Sequence, residues 1–401
     1  MWGTRRYLKK GTKNMKKRNY VLAIALAVMC AMTSCGVGNV DTTNDQGDSV
    51  LEVTEDDSII EEDTEQINDT SDNTIDETID ETTDETIDDT TDGSITGVTD
   101  TTDDSETLSD GSYVSTMYIN GKYLDSAKAI RDEYSSCITY ADLAFFQAKQ
   151  VGDGEFELSK QPYDLEETVQ TLREADVSVI ASFGGAYDDG KVYSDENYNE
   201  YLKIFKNSST ANLESFAAFL AQTVSNLGLD GIDLDIEIYV SDGEWAEQYV
   251  WDNYSYFVQA LKRECDSRGL ILTTAIDSDS LKLNGKNKIS KDALNCFKYI
   301  NIMSYRDIED AKGEVEYFAD IVNSRRQLVV GQCFWVQDDR LECYSEETLK
   351  ERCELIKNEY DGRLGGIMFW DFYRDVIKEN GKKLTGYVDD YLGSENIYKD
   401  R

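Results

Sequence analysis

The stretch Asp230-Gly-Ile-Asp-Leu-Asp-Ile-Glu237 carries acids at Asp233, Asp235 and Glu237, with Ile232, Leu234 and Ile236 between them. On a β-strand, side chains alternate between faces, so this spacing sends three carboxyl groups to one side and three aliphatic groups to the other. Two readings are open. A half-exposed strand turns its acidic face to water. A strand covered on both faces cannot. Residues two apart on one strand face then stand roughly 6 to 7 Å from each other, too close in a low-dielectric interior for all three to ionise, so the acid nearest the surface stays protonated near neutral pH. A protonated carboxylic acid beside ionised ones is the equipment for cleaving a glycosidic bond.

Composition narrows the chemistry further. The 401 residues include no histidine, which removes Ser-His-Asp and Cys-His catalysis and the usual zinc and non-haem iron ligand sets. None of the eight cysteines has a partner at the spacing of a zinc or thioredoxin-type site, so neither a metal nor a cofactor is expected and acid-base work falls to carboxylates. With 80 acids against 40 bases the net charge is −40, which argues against nucleic acid or an anionic membrane surface as a partner, because phosphate binding needs clustered Lys and Arg.

Charge also divides the chain. Residues 1–40 carry eight bases and no acid, whereas residues 41–110 carry 27 acids and no base. The first segment has a basic run at Lys16-Lys17-Arg18, an apolar stretch from Tyr20 to Met32, and then Met32-Thr-Ser-Cys35 before Gly36. This is the layout of a secretory signal peptide, and its apolar part is short of the roughly 20 residues a membrane-spanning helix needs. Met32 to Cys35 resembles a bacterial lipobox. That resemblance implies that residues 1–35 are a signal segment and that lipidated Cys35 anchors an exported protein to the outer face of the cell membrane; ordinary cleavage and secretion is the alternative. Residues 36–110 contain the short repeat Thr74-Ile-Asp-Glu, Thr78-Ile-Asp-Glu, Thr82-Thr-Asp-Glu, Thr86-Ile-Asp-Asp. With few groups to bury and like charges repelling, the segment is expected to be a disordered tether, with an r.m.s. span of about 45 to 50 Å.

Beyond residue 110, short apolar runs alternate with amphipathic stretches. Strands are expected at Tyr113 to Ile119, Tyr140 to Ala148, Val177 to Gly184, Gly231 to Glu237, Ile271 to Ile276, Tyr299 to Tyr305, Gln327 to Phe334 and Gly366 to Trp370. Helices lie between most of them. The clearest has Leu213, Phe216, Leu220, Val224 and Leu227 on one face with Gly228 as a stop; another carries Val250, Tyr254, Phe257 and Leu261 before Gly269. Eight strands alternating with helices over residues 111–393 are the pattern of an α/β (β/α)8 barrel, leaving residues 394–401 as a tail. A doubly wound open sheet is the competing arrangement. In a barrel the acidic face of the fourth strand points into the packed interior, and its last acid reaches the C-terminal mouth, where catalytic groups collect.

Asp230-x-x-Asp233-x-Asp235-x-Glu237 resembles the signature of the family 18 glycoside hydrolases, which include chitinases and endo-β-N-acetylglucosaminidases. Ser182-Phe-Gly184-Gly185 is similar to the family's Ser-x-Gly-Gly, Met303-Ser-Tyr305 to its Met-x-Tyr, and Gly365-Gly-Ile-Met-Phe-Trp370 to its last strand. The resemblance spans about residues 112–392. It implies that Glu237 is the general acid, that Asp235 orients the substrate's acetamido group, that Asp233 shares a proton with Asp235, and that Tyr305 donates to the acetamido oxygen. It implies a sugar-binding floor at Trp370 with Met303 alongside, and structural roles for Asp230, Ser182, Gly184 and Gly185. Tyr187, two residues past the glycine pair, is a candidate for stacking on a sugar.

The chain also departs from the family. Arg306 follows Tyr305 where chitinases commonly have Asp, which leaves specificity on the leaving-group side open and adds Arg306 to the substrate-binding candidates. Only about 30 residues separate Phe334 from Gly365, too few for the small α+β insertion of many chitinases, so an open groove is expected. The partner implied is a GlcNAc-containing oligosaccharide or a glycoprotein glycan, acted on by a monomer. Three further readings stay open: an endo-β-N-acetylglucosaminidase acting on N-glycans, a peptidoglycan hydrolase, and a lectin that binds chitin oligosaccharides without cleaving them.

Overall fold

The computed structural model describes residues 111–400 except 186, 189–190, 193–199, 238–246, 277–281, 284–285, 335–343 and 379–380. The signal segment, Cys35 and the acidic tether therefore lie outside the described residues, as does part of the segment on which the open groove depends.

Eight parallel strands form the frame: β1 (Val114–Ile119), β2 (Tyr140–Gly152), β3 (Ser178–Gly184), β4 (Gly231–Asp235), β5 (Ile271–Ile276), β6 (Tyr299–Ile302), β7 (Leu328–Cys333) and β8 (Gly366–Trp370). Each pairs with the next, and β1 pairs with both β2 and β8, so the sheet closes on itself. All eight coincide with expected strands to within a few residues at their ends. The exception in length is β2, which runs past the rim and folds back through Glu155–Lys160 as an antiparallel arm.

Closure separates two apolar regions. Val114, Tyr118, Tyr140, Ile180, Ala275, Tyr299, Val329 and Met368 cluster inside the barrel. Ile232, Leu234 and Ile236 belong instead to the larger core between strands and helices. That core includes α1 (Thr210–Asn226) and α2 (Gln248–Arg268), whose Phe216 and Phe257 rings stack at 5.0 Å. Ser209 caps α1 by accepting from the Asn212 amide, and α2 ends at Gly269 in the left-handed region, as a helix stop requires. The amphipathic stripes in both segments thus became the inner faces of the surrounding helices.

Residues 394–400 lie against the foot of the barrel. The Tyr113 amide donates to the Asn396 carbonyl at 2.7 Å, and the Tyr398 amide donates to the Tyr113 carbonyl at 2.8 Å. Asp400 accepts from the hydroxyls of Tyr140 and Tyr398, each at 2.8 Å, and pairs with Lys298 at 3.3 Å.

At the opposite rim the ends of β6 and β7 are held by one side chain. Arg352, on α3 (Glu346–Asn358), is fully buried. It donates to the carbonyls of Gly331 at 2.8 Å, Ser304 at 2.8 Å, Arg306 at 2.6 Å and Thr348 at 3.4 Å. Tyr305 sits between two of these carbonyls. Replacing Arg352 with Met keeps the apolar stem but strips donors from buried acceptors, which costs about 1 to 3 kcal/mol for each group left unsatisfied. Urea unfolding of Arg352→Met should therefore show a stability lower by about 3 kcal/mol than wild type.

Candidate active site

Asp233 is the centre of the site and is wholly shielded from solvent. Its register neighbours are Ser182 on β3 and Thr273 on β5. Side chains at one level of a barrel face the same lumen, so both hydroxyls reach it: Ser182 Oγ donates to Oδ2 at 2.8 Å and Thr273 Oγ1 donates to Oδ1 at 2.8 Å. The third donor comes from β1, where the Tyr118 hydroxyl donates to Oδ2 at 2.9 Å while accepting from Asn301 Nδ2 of β6 at 3.1 Å. Burial raises the Asp233 pKa, and the hydrogen bonds from Ser182, Thr273, Tyr118 and Asn301 pull it back.

Asp235 is the last residue of β4 and is 5% exposed; Glu237, two residues further on, is half-buried. The three acids therefore rise from the lumen toward the C-terminal mouth. Tyr305 faces them from beyond β6. Its pKa is pushed well above the ordinary phenol value, first by burial and then by the charges of Asp235, Cys333, Glu237 and Asp233, so it remains a hydroxyl donor at neutral pH. Met303 and Tyr305 both pack on the interior cluster.

Trp370 ends β8, half-buried. Phe145 stacks on it at 5.5 Å with 26° between planes, and Tyr118 meets it edge-on at 5.6 Å. The Phe145 ring in turn occupies the space beside Gly185, where a Cβ would come within 2.5 Å of it. Gly184 is equally constrained: at φ +122° its Cβ would lie 2.0 Å from the Asp235 carbonyl oxygen. The chain turns here so tightly that the Gly185 amide donates to that same carbonyl at 2.8 Å. The glycine pair thereby holds the backbone between Asp235 and Glu237.

Asp230 and Arg306 have partners outside this group. Asp230 stands at the foot of β4, where it accepts from the Val179 amide at 2.8 Å and pairs with Arg173 at 3.3 Å. Arg306 is exposed and pairs with Asp310 at 3.3 Å. Tyr187 contributes its backbone to the two-residue strand Tyr187–Asp188, opposite Lys191–Val192. Tyr118, Asp142, Phe145, Thr273 and Asn301 were not singled out from sequence, although each sits on an expected strand, and Tyr118, Thr273 and Asn301 share the lumen-facing register that alternation gives.

The chain belongs to the glycosyl hydrolases family 18, whose model matches residues 113–339. Among solved structures, it is similar to a chitinase from Bacteroides thetaiotaomicron, with 16% identity and a TM-score of 0.54 over 72% of this chain and 99% of that one. It is also similar to the Bacillus cereus spore cortex-lytic enzyme SleL, with 14% identity and a TM-score of 0.54 over 72% of this chain and 76% of that one. At these identities the likeness is one of fold. No curated protein matches the chain in sequence.

A further carboxyl, Asp371, follows Trp370 and is 1% exposed. Burial raises its pKa to about 6, against the pull of Arg374, whose amide donates to Oδ1 at 3.0 Å and whose guanidinium lies 3.4 Å away. A carboxyl with a raised folded-state pKa binds its proton more tightly when folded. Its contribution to stability is full below the ordinary carboxylate value and is lost as pH rises through about 6. Thermal unfolding between pH 4 and 7 should fall less steeply with pH for Asp371→Asn than for wild type.

Proposed function

We propose that the protein is a retaining endoglycosidase that hydrolyses the β-1,4 bond following an N-acetylglucosamine, in the manner of a chitinase. What carries this reading is the Asp233, Asp235, Glu237 series, which climbs from a hydroxyl-lined lumen to the barrel mouth opposite Tyr305. Glu237 protonates the leaving glycosidic oxygen. The substrate's own acetamido oxygen attacks the anomeric carbon and closes an oxazolinium ring, which water then opens with Glu237 acting as base. Asp235 orients the acetamido N–H and balances the positive charge, and Asp233 shares a proton with Asp235. Tyr305, kept protonated by its surroundings, donates to the acetamido oxygen, and Trp370 forms the floor beneath the sugar. The names of the similar structures, a chitinase and a spore cortex-lytic enzyme, agree with a GlcNAc-containing polymer as substrate.

Arg306 keeps a second reading alive at the same catalytic centre. A cation follows Tyr305 where chitinases commonly place an acid, although it is exposed and pairs with Asp310, and the chitobiose core of an N-glycan is the alternative. We further propose that the chain is exported and anchored through Cys35, on the strength of the basic run, the short apolar stretch and Met32-Thr-Ser-Cys35.

A fluorogenic chitobioside should be hydrolysed by wild type and by Glu237→Gln at a rate lower by about 10²- to 10⁴-fold, the usual contribution of a general acid. Equal rates would remove Glu237 from the mechanism, and binding without turnover by both would leave a lectin. Supplying chitin oligomers and a high-mannose glycoprotein side by side should give turnover of the oligomers; release of glycans alone would select the second reading. Mass analysis of the membrane fraction of producing cells should find acyl chains on Cys35, whereas an unmodified protein in the medium would refute the anchor.

A further inference from the structure

One buried carboxyl in the lumen has no part in the scheme above. Asp142, on β2, is 1% exposed, and among the described residues neither of its oxygens is met by a well-formed hydrogen bond, the Tyr118 hydroxyl alone standing near enough to act on it. An uncompensated carboxylate in such a place is costly, and the group avoids the cost by holding its proton. Asp142 is the direct register neighbour of Tyr118 across β1 and β2. Tyr118 in turn donates to Asp233. The titratable groups gathered around Tyr118 are thus Asp142, Asp233, Asp235 and Tyr305; from β3 the neighbour of Asp142 is Ile180, which brings no charge. Burial and the charge of Asp233 both push the Asp142 pKa well above the carboxylate range. Asp233 has three hydroxyl donors, whereas Asp142 has only the Tyr118 hydroxyl that is already committed to Asp233, so a single proton shared by the two resides on Asp142 at rest.

We propose that Asp142 is a proton reservoir for the catalytic acids, exchanging a proton with Asp233 through the Tyr118 hydroxyl. This rests on the glycosidase reading above and adds a positioning residue to it. In the exchange, the Asp142 O–H bond breaks and its proton joins the Tyr118 oxygen, while the Tyr118 O–H bond breaks and its proton joins Asp233 Oδ2. The phenol is neutral before and after, Asp142 becomes the carboxylate, and the net charge of the lumen is unchanged. Asp233 can then gain or release the proton it shares with Asp235 without drawing on solvent.

The test has two arms. Infrared difference spectra of wild type against Asp142→Asn at neutral pH should show the C=O band of a buried protonated carboxylic acid that the variant lacks; absence of any such band would overturn the proposal. This arm needs no substrate, so a protein that cleaves no glycoside would refute the functional reading and still report on the proton. In the kinetic arm, Asp142→Asn should lower kcat on the chitobioside about tenfold at unchanged KM, and the alkaline limb of its kcat profile should move to lower pH by about one unit, because the last proton of the Asp142–Asp233 pair, whose loss would leave two like charges, is gone and Asp233 titrates alone. Combining it with Tyr118→Phe should cost no more than Tyr118→Phe alone, as for groups acting in one unit. A wild-type profile for Asp142→Asn, or losses that multiply in the double variant, would overturn the exchange. If the asparagine variant does not fold, Asp142→Leu fills the same lumen without a titratable group and serves in both arms.

Discussion

A closed parallel barrel gives each strand residue two destinations, the lumen or the helix-facing core, and alternation assigns them without exception along β4. Ile232 and Leu234 go outward, so Asp233 must go inward, where water cannot solvate it. The rest of the site answers that requirement. Donors for Asp233 come from the strands on either side at the same level and from β1, itself held by Asn301 of β6. Four strands are thereby committed to satisfying one carboxyl, and this shared commitment fixes the level at which Asp235 and Glu237 emerge.

The rim follows a different principle. Here the backbone itself must approach closely, and the chain supplies residues that either vanish or reach far. Gly184 and Gly185 have no side chain to obstruct the turn against Asp235 or the Phe145 ring. Arg352 reaches in from a helix to collect carbonyls on both sides of Tyr305. Because its partners are neutral amide oxygens and a guanidinium does not deprotonate in proteins, this clamp keeps its form across the pH range in which the acids titrate.

Much of this was legible in the chain. The eight strands stood out because each is a short apolar or alternating run between turn residues, and the helices because their stripes keep the helical period. Asp233, Asp235 and Glu237 were visible because their spacing is local. Their partners were less so. Ser182 was visible only through its Ser-x-Gly-Gly motif and not as a donor to Asp233, from which it lies 51 residues away; Thr273 and Tyr118, 40 and 115 residues away, are unremarkable polar interruptions within their own strands. Asp142 and Arg352 are harder still, since a single charged residue in an apolar strand or an amphipathic helix ordinarily points to solvent, and only closure of the sheet and docking of α3 turn them inward. The segment at 394–400 reads as a tail because its few residues carry no period, while its pairing with Tyr113 depends on the other end of the domain.

That pairing bears on how the molecule comes into being. β1 is among the first parts of the domain to be synthesised, yet its neighbours include β8 and residues 396–398, so nearly the whole domain must be made before the first strand is fully bonded. Contacts of such long sequence separation form slowly, and until translation passes residue 400 the Tyr140 hydroxyl and Lys298 lack their acid partner. A nascent chain in that condition is open at its foot and cannot lock. If the chain is exported as proposed above, this delay keeps it in a form that can still be threaded across a membrane.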